Sequence, residues 1–269
     1  MKNVAFIMSV YKNDSADMLK GAIDSMLNQT VNCDILMCQD GELPIGLSDV
    51  LKSYESNDRI TILKNELNKG LAYSLNRLID YSAIYKYEYL ARMDSDDISR
   101  PTRIKKQLEF FSKNPEIDVI GSSCREFGSS YSLDEKHLPR YHDELKKFSI
   151  TRCPFVHPSV MFKTSVFTGG IRYPENTKLT EDMALWFELL VRGKKFANSN
   201  EILLDYRLEE DTVLRRKGFG KAWSEVYIRF KYMYLLREIS FINVILISSR
   251  LLFHVMPSKL IKLSYKYIR

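Results

Sequence analysis

Three carboxylates crowd into four positions of this 269-residue chain, Asp94-Ser95-Asp96-Asp97. Like charges this close repel and titrate upward unless a cation neutralises them. Hard oxygen ligands at that spacing suit Mg²⁺ or Mn²⁺, held by one or two carboxylates together with substrate phosphates. A solvated acidic turn would show the same letters, so the neighbouring elements decide. Tyr89, Leu90 and Met93 read as the end of a buried strand, and 98–101 as the loop after it. The acids then stand at the carboxyl end of a strand, where open α/β sheets place their ligand crevices.

The elements upstream repeat that pattern. Residues 4–11 form an apolar run without helical periodicity, which predicts a buried strand. After Lys12-Asn13-Asp14, the residues Ala16, Leu19, Ile23, Met26 and Leu27 recur at helical spacing, with Asp14 or Ser15 placed to cap. A second strand, Cys33 to Cys38, runs into Gln39-Asp40-Gly41. A third, Ile60 to Leu63, leads to 65–71 and a helix carrying Leu71, Leu75, Leu78 and Ile79. Strands alternating with helices predict a parallel sheet with right-handed crossovers. Several of its strands end in acids or amides, which points to nucleotide binding.

Taken in order, Ser9-Val10-Tyr11, Asp40-Gly41, Asn68-Lys69-Gly70-Leu71, Asp94-Ser95-Asp96-Asp97 and Glu181-Asp182 resemble the motifs of family 2 glycosyltransferases with a GT-A fold. Within that family the chain is similar to bacterial enzymes that build O-antigen, capsule or exopolysaccharide, over roughly residues 3–210. The resemblance implies a Rossmann-like nucleotide-binding sheet with an acceptor-side extension. It makes Val10 and Tyr11 the wall of the nucleoside pocket and gives Asp40 a hydrogen bond to the base. It places Asn68, Lys69 and Gly70 in the loop near the nucleotide, with Gly70 permitting a left-handed turn. Asp94 approaches the ribose or sugar and shares with Asp96 the metal that bridges the two phosphates; Asp97 supports either task. Ser9 stands where the family usually has Pro, and Gln39 and Glu42 where an acid or Ser is usual. Both departures bear on base recognition.

Glu181 and Asp182 open a helix marked by Met183, Trp186, Phe187, Leu190 and Val191, where acids also serve as ordinary N-terminal charge. The resemblance makes Asp182 the general base and Glu181 its companion in the acceptor pocket. In an inverting transfer the acceptor hydroxyl attacks the anomeric carbon as the nucleoside diphosphate leaves, and a carboxylate takes the proton. An α-linked donor then gives a β-linked product. The resemblance also sets His157 near the diphosphate or acceptor, although a lone His is more often a structural hydrogen-bonder. Arg207 ends the last core strand, before a segment that closes over the diphosphate in relatives. Arg215, Arg216 and Lys217 fit either a phosphate clamp or a solvated basic turn. His137, His142 and His254 share no zinc-like spacing.

Composition bounds the rest. Four cysteines without a CxxC pair predict reduced thiols, and no basic-then-apolar leader opens the chain. Residues 215–269 hold twelve Lys or Arg against Glu225 and Glu238, a local net charge of +10 in a chain of +6. The tail is rich in aromatic and aliphatic residues, yet its apolar run from Phe241 to Met256 is too short to span a bilayer and contains Arg250. It predicts either a helical segment lying in the headgroup plane or a helical subdomain packed on the core or at a dimer interface. No nucleic-acid motif accompanies the charge.

The expectation is a catalytic domain over 1–212 and a basic helical region over 213–269. It is a metal-dependent inverting hexosyltransferase, using a UDP-linked galactose, glucose or N-acetylated relative. Its acceptor is a polyprenyl-diphosphate-linked glycan, met at the cytoplasmic membrane face. Nucleotidyl transfer and a non-catalytic nucleotide-sugar-binding scaffold are the alternatives; the first lacks a Gly-rich phosphate loop.

Overall fold

The computed structural model describes residues 4–177, 179–210 and 219–255. The first half alternates β1 (Val4–Val10), α1 (Ala16–Leu27), β2 (Asp34–Asp40), α2 (Ile45–Ser53), β3 (Ile60–Asn65), α3 (Leu71–Ile84) and β4 (Tyr89–Arg92). The short β5 (Ile98–Ser99) and α4 (Arg103–Lys113) follow, then β6 (Val119–Phe127), α5 (His142–Thr151), β7 (Met161–Lys163), α6 (Glu181–Val191) and β8 (Phe196–Arg207). Two further helices, α7 (Phe219–Leu235) and α8 (Phe241–Val255), complete the described chain.

The eight strands form one sheet in the order β3-β2-β1-β4-β7-β6-β8-β5. Strands β3, β2, β1 and β4 are parallel, as expected. Beyond β4 the sheet is mixed: β7 runs antiparallel to β4 and β6, and β6 pairs parallel with β8. Both faces are buried. Ala5, Ile7, Leu36 and Cys38 point to a core shared with α3, α5 and α6, while Phe6, Met8, Ile35 and Met37 face α1, α2 and α4. A strand covered on both sides has no polar face to show, which is why residues 4–11 read as continuous apolar sequence.

The structure corrects three local readings. Residues 98–99 are a strand, because Ile98 and Ser99 pair with Asp205 and Leu204; two residues carry no periodicity to read. The second and third strands reach Asp40 and Asn65, whose polar side chains hide ladder positions that backbone bonds fill. Helix α2 lies in a stretch that yielded no element, with Gly46 and Ser48 diluting its apolar face to Leu47 and Leu51.

The expected boundary at 212/213 lies outside the described residues. Past it, α7 and α8 are helices that pack on the core. Val226, Ile228, Tyr232, Met233 and Ile247 join the same buried cluster as Trp186 and Phe187. An ion triad fixes the seat. Glu225 Oε1 accepts from Arg229 Nε at 3.0 Å and Arg250 Nη1 at 2.9 Å. Arg229 Nη1 also donates to the carbonyls of Ser149 and Ile150, and Arg250 to that of Thr151. Two guanidinium groups thus cap the carboxyl end of α5, where the helix dipole favours positive charge. Arg229 is 1% exposed. Removing one partner of a buried ion group costs about 3–5 kcal/mol. Arg229→Met should therefore lower the unfolding free energy by about that amount, read from the shift in its urea midpoint.

Candidate active site

The acids gather where β4 stops. Asp94, Asp96 and Asp97 each bring a carboxylate oxygen within 4.8 Å of the others. Asp14, from the loop after β1, joins them. It lies within electrostatic reach of Ser95 and Asp94. Its Oδ2 accepts the Tyr11 amide at 2.9 Å, and Ser15, not Asp14, stands at the N-cap of α1.

Burial, with the Asp94 charge adding to it, pushes the Asp96 carboxyl up to about 7. Burial likewise lifts Asp14 to about 6. Asp97 is driven well above the carboxylate range by burial and then by the charges of Asp94 and Asp96. One guanidinium opposes them from below: Arg92, the last residue of β4, is 1% exposed and pairs with Asp94. Arg207 approaches from β8. Its amide donates to Asp97 Oδ1 at 2.7 Å, its Nε to the Asp96 carbonyl at 3.0 Å, and its guanidinium lies 4.4 Å over the Phe127 ring. Asp97 Oδ2 is buried without a hydrogen-bond partner among the described residues. An all-oxygen, close-set, charge-deficient group of this kind fits a divalent cation such as Mg²⁺ or Mn²⁺.

Parallel pairing of β2, β1 and β4 sets their carboxyl ends side by side, so Asp40 and Tyr11 flank the acids. Val10 is buried and Tyr11 is 39% exposed. Asp40 organises a loop. Its Oδ1 accepts from Asn65 Nδ2 and the Lys69 amide, and its Oδ2 from the Gly70 amide, each at 2.8 Å. Asn68 Nδ2 reaches the Asp40 carbonyl at 3.4 Å. Gly41, at φ +85°, lets the strands' loops meet: a Cβ there would stand 2.6 Å from the Asn68 nitrogen. Gly70 adopts φ +91° with ψ 166°, an extended positive-φ conformation that favours glycine in place of the left-handed turn expected, and opens α3. The side chains of Asn68 and Lys69 remain exposed.

The second acidic pair stands at the first turn of α6. Asp182 Oδ1 accepts the Met183 amide at 2.7 Å. Between this pair and the first group lies Tyr173, 1% exposed, which senses Arg92, Asp182, Glu181 and Asp94. Its hydroxyl meets His157 Nε2 at 2.9 Å. Burial, with Arg92 adding to it, holds the His157 pKa well below its ordinary value, so the ring is neutral. The ring also packs edge-on to Trp186 at 5.7 Å. Asn76 fixes Tyr173 by its backbone: Nδ2 donates to the Tyr173 carbonyl and Oδ1 accepts its amide, at 2.9 and 2.8 Å.

Val10, Tyr11, Asp40, Asn68, Lys69 and Gly70 thus line one edge. Asp94, Asp96 and Arg207 form the centre, and His157, Glu181 and Asp182 the far side. The basic stretch 215–217 lies outside the described residues. Sequence reasoning passed over Arg92, Asn76, Tyr173 and Arg103. Arg103 is fully buried and donates to the Arg92 and Val160 carbonyls at 2.8 and 3.3 Å, stapling the end of β4. An arginine amid Leu90, Ala91 and Met93 is itself a signal of a buried charge with a task. Tyr173 and Asn76, 97 positions apart, leave no local pattern.

A mixed sheet whose parallel half carries a carboxylate cluster at its strand ends, with a second acidic pair at the start of a helix, is the arrangement of a GT-A glycosyltransferase. The chain belongs to the family 2 glycosyltransferases: the sequence model of Glycosyl transferase family 2 matches residues 5–174. It is 29% identical over 269 residues to a UDP-Gal:alpha-D-GlcNAc-diphosphoundecaprenol beta-1,3-galactosyltransferase of Escherichia coli, covering 97% of this chain and 94% of that one. It is 27% identical to the amylovoran biosynthesis glycosyltransferase AmsE of Erwinia amylovora, covering 97% of each. The fold superposes on Staphylococcus aureus TarS 1-349 in complex with UDP-GlcNAc with a TM-score of 0.67, at 13% identity, over 88% of this chain and 71% of that one. The mannosyltransferase PcManGT of Pyrobaculum calidifontis, in complex with GDP-Man and Mn2+, gives 0.64 at 11% identity, over 99% and 73%.

A carboxyl whose pKa is raised on folding binds its proton more tightly in the folded chain. Stability is then lost as pH rises from the unfolded value of 3.8 through the folded value of about 7. The melting temperature of the metal-free protein should fall across that window, and Mn²⁺ should restore it most above neutral pH. Asp96→Asn should raise the metal-free melting temperature by the equivalent of about 1–2 kcal/mol and abolish the Mn²⁺ response. Differential scanning fluorimetry at several pH values checks both.

Proposed function

We propose that this protein is a metal-dependent, inverting hexosyltransferase of bacterial surface polysaccharide synthesis, in O-antigen or capsule assembly. Its donor is a UDP-linked galactose, glucose or N-acetylglucosamine, and its acceptor a glycan on a polyprenyl diphosphate. The observation that carries this reading is the close-set group of Asp94, Asp96 and Asp97 at the end of β4, their carboxylate oxygens within 4.8 Å of one another. The E. coli relative, named for UDP-Gal and a diphosphoundecaprenol acceptor, supports the substrate classes.

In this reading Val10 and Tyr11 wall the nucleoside, and the loop fastened by Asp40 closes beside it through Asn68, Lys69 and Gly70. Asp94 and Asp96 hold Mg²⁺ or Mn²⁺, which when bound offsets negative charge on the donor diphosphate. Arg207, tethered to Asp96 and Asp97, supplies further positive charge at the same place. Asp182 accepts the proton of the acceptor hydroxyl as that oxygen bonds to the anomeric carbon; the bond from that carbon to the diphosphate oxygen breaks, and the configuration inverts. Glu181 lines the acceptor pocket. Neutral His157, bonded to Tyr173, positions the wall between the two substrates. The enzyme works at the cytoplasmic face of the inner membrane, held there through its C-terminal region.

Turnover should be measured with UDP-, GDP- and dTDP-sugars, Mn²⁺ or Mg²⁺, and a lipid-diphosphate-linked monosaccharide. One donor should release its nucleoside diphosphate only when acceptor is present. Asp182→Asn should cut that turnover by about 10²–10⁴-fold while UDP affinity, by calorimetry, stays within about twofold. Binding without release from any donor would instead favour the scaffold reading.

A further inference from the structure

The two C-terminal helices have unlike faces. Their inner side is built into the core by the Glu225, Arg229 and Arg250 triad. Their outer side is apolar and bare. Trp223, Tyr227 and Tyr234 follow one another along α7 at helical spacing and are 59%, 63% and 71% exposed. Phe241, Ile242 and Ile245 continue on α8 at 80%, 68% and 51%. Nine of the seventeen large apolar side chains exposed among the described residues fall between Trp223 and Leu246. The other eight are scattered from Tyr11 to Val191, so apolar exposure is concentrated on these two helices and the turn between them. A groove of about 390 Å³ opens at the end of α7 and the turn after it, lined by Tyr234, Leu235, Arg237 and Ile239.

The charge pattern selects the occupant. Both acids of the region are drawn into ion pairs with other parts of the fold: Glu225 with Arg229 and Arg250, and Glu238 with Lys146 at 3.1 Å. Lys231 and Arg237 stay exposed on the apolar side. The sequence beyond α8 adds Lys259, Lys262, Lys266 and Arg269 and no acid. Trp, Tyr and aliphatic residues interleaved with lysine and arginine match a boundary where acyl chains meet anionic headgroups. No helix among the described residues is long and apolar enough to cross a membrane.

We propose that the outer face of α7 and α8, led by Trp223, Tyr227, Phe241 and Ile245, docks on an anionic lipid bilayer and lies in its headgroup plane. This deepens the membrane-surface reading above and rests on it. The docking helix also seats the second acidic pair: Ser224, next to Trp223, meets Thr180 at 3.2 Å, and Thr180 immediately precedes Glu181 and Asp182.

Tryptophan emission reads the contact directly in the full chain. Of the two tryptophans, Trp186 is 1% exposed and stacked on Phe162, so Trp223 reports any change at the surface. Mixed phosphatidylglycerol–phosphatidylcholine vesicles should shift the emission to the blue and co-sediment the protein, and pure phosphatidylcholine should do so more weakly. Trp223→Phe should lose the shift but still sediment. The triple variant Tyr227→Ser, Phe241→Ser, Ile245→Ser should lose at least about tenfold in vesicle affinity. Turnover on a water-soluble, short-chain acceptor without vesicles should be unchanged in that variant, which shows that fold and chemistry survive. Vesicle binding by a chain that turns over no donor would uphold the docking face and defeat the transferase reading alone. Equal vesicle affinity in the triple variant would overturn the proposal. So would a stable dimer in solution that shields Trp223 and ignores vesicles, because a second copy would then cover the face.

Discussion

Repulsion among carboxylates withdrawn from water is the constraint around which this molecule is arranged. Asp14, Asp94, Asp96 and Asp97 converge from two strand ends, and in a medium of low polarity each raises the cost of ionising its neighbours. The surrounding structure is a set of answers to that cost. Arg92 pairs with Asp94 from inside the sheet. Arg207 lends its amide to Asp97 and spans the loop to the Asp96 carbonyl. Arg103 holds the carbonyls at the end of β4, so the strand cannot relax away from the crowded turn. A fold that gathers acids against their tendency has built a place where positive charge from a ligand is worth more than it would be in water.

The loop fastened by Asp40 and the side of the site around Tyr173 are linked through α3. The helix begins at Gly70, whose amide is tied to Asp40, and two turns later Asn76 grips the backbone of Tyr173. One rigid element therefore carries both the loop expected beside the nucleotide and the clamp on the phenol between the two acidic groups. Position along that helix, not proximity in sequence, sets the spacing between the two regions.

Much of this was legible in the sequence. The apolar runs at residues 4–11 and 89–93 declared buried strands because both sheet faces are covered. The spacing of Leu71, Leu75 and Leu78 declared α3 because one side of it packs on the sheet. The acids at 94–97 and 181–182 were visible because carboxylates at element ends need a reason. What stayed hidden was whatever depends on partners far away in the chain. Ser99 is a strand residue only because Leu204 lies beside it. Tyr173 matters only because His157 and Asn76 reach it. Asp40, given a hydrogen bond to the base by resemblance, also holds residues 65, 69 and 70 with its oxygens, which no local pattern announces. The tail presented two readings, surface helix or core subdomain, and its two faces let it be packed on one side and bare on the other.

The triad of Glu225, Arg229 and Arg250 changes how the C-terminal helices should be regarded. An anchor joined by a linker can be cut off, exchanged or transplanted, leaving a soluble catalytic half behind. Here the guanidinium groups of α7 and α8 are the caps of α5, and their apolar residues complete the cluster around Trp186. Shortening the chain before Phe219 would strip three backbone carbonyls of their donors and lay open the back of the helix that carries Asp182. The region is thus a structural wall of the catalytic unit. Evolution can repaint its outer surface residue by residue, but it cannot detach it.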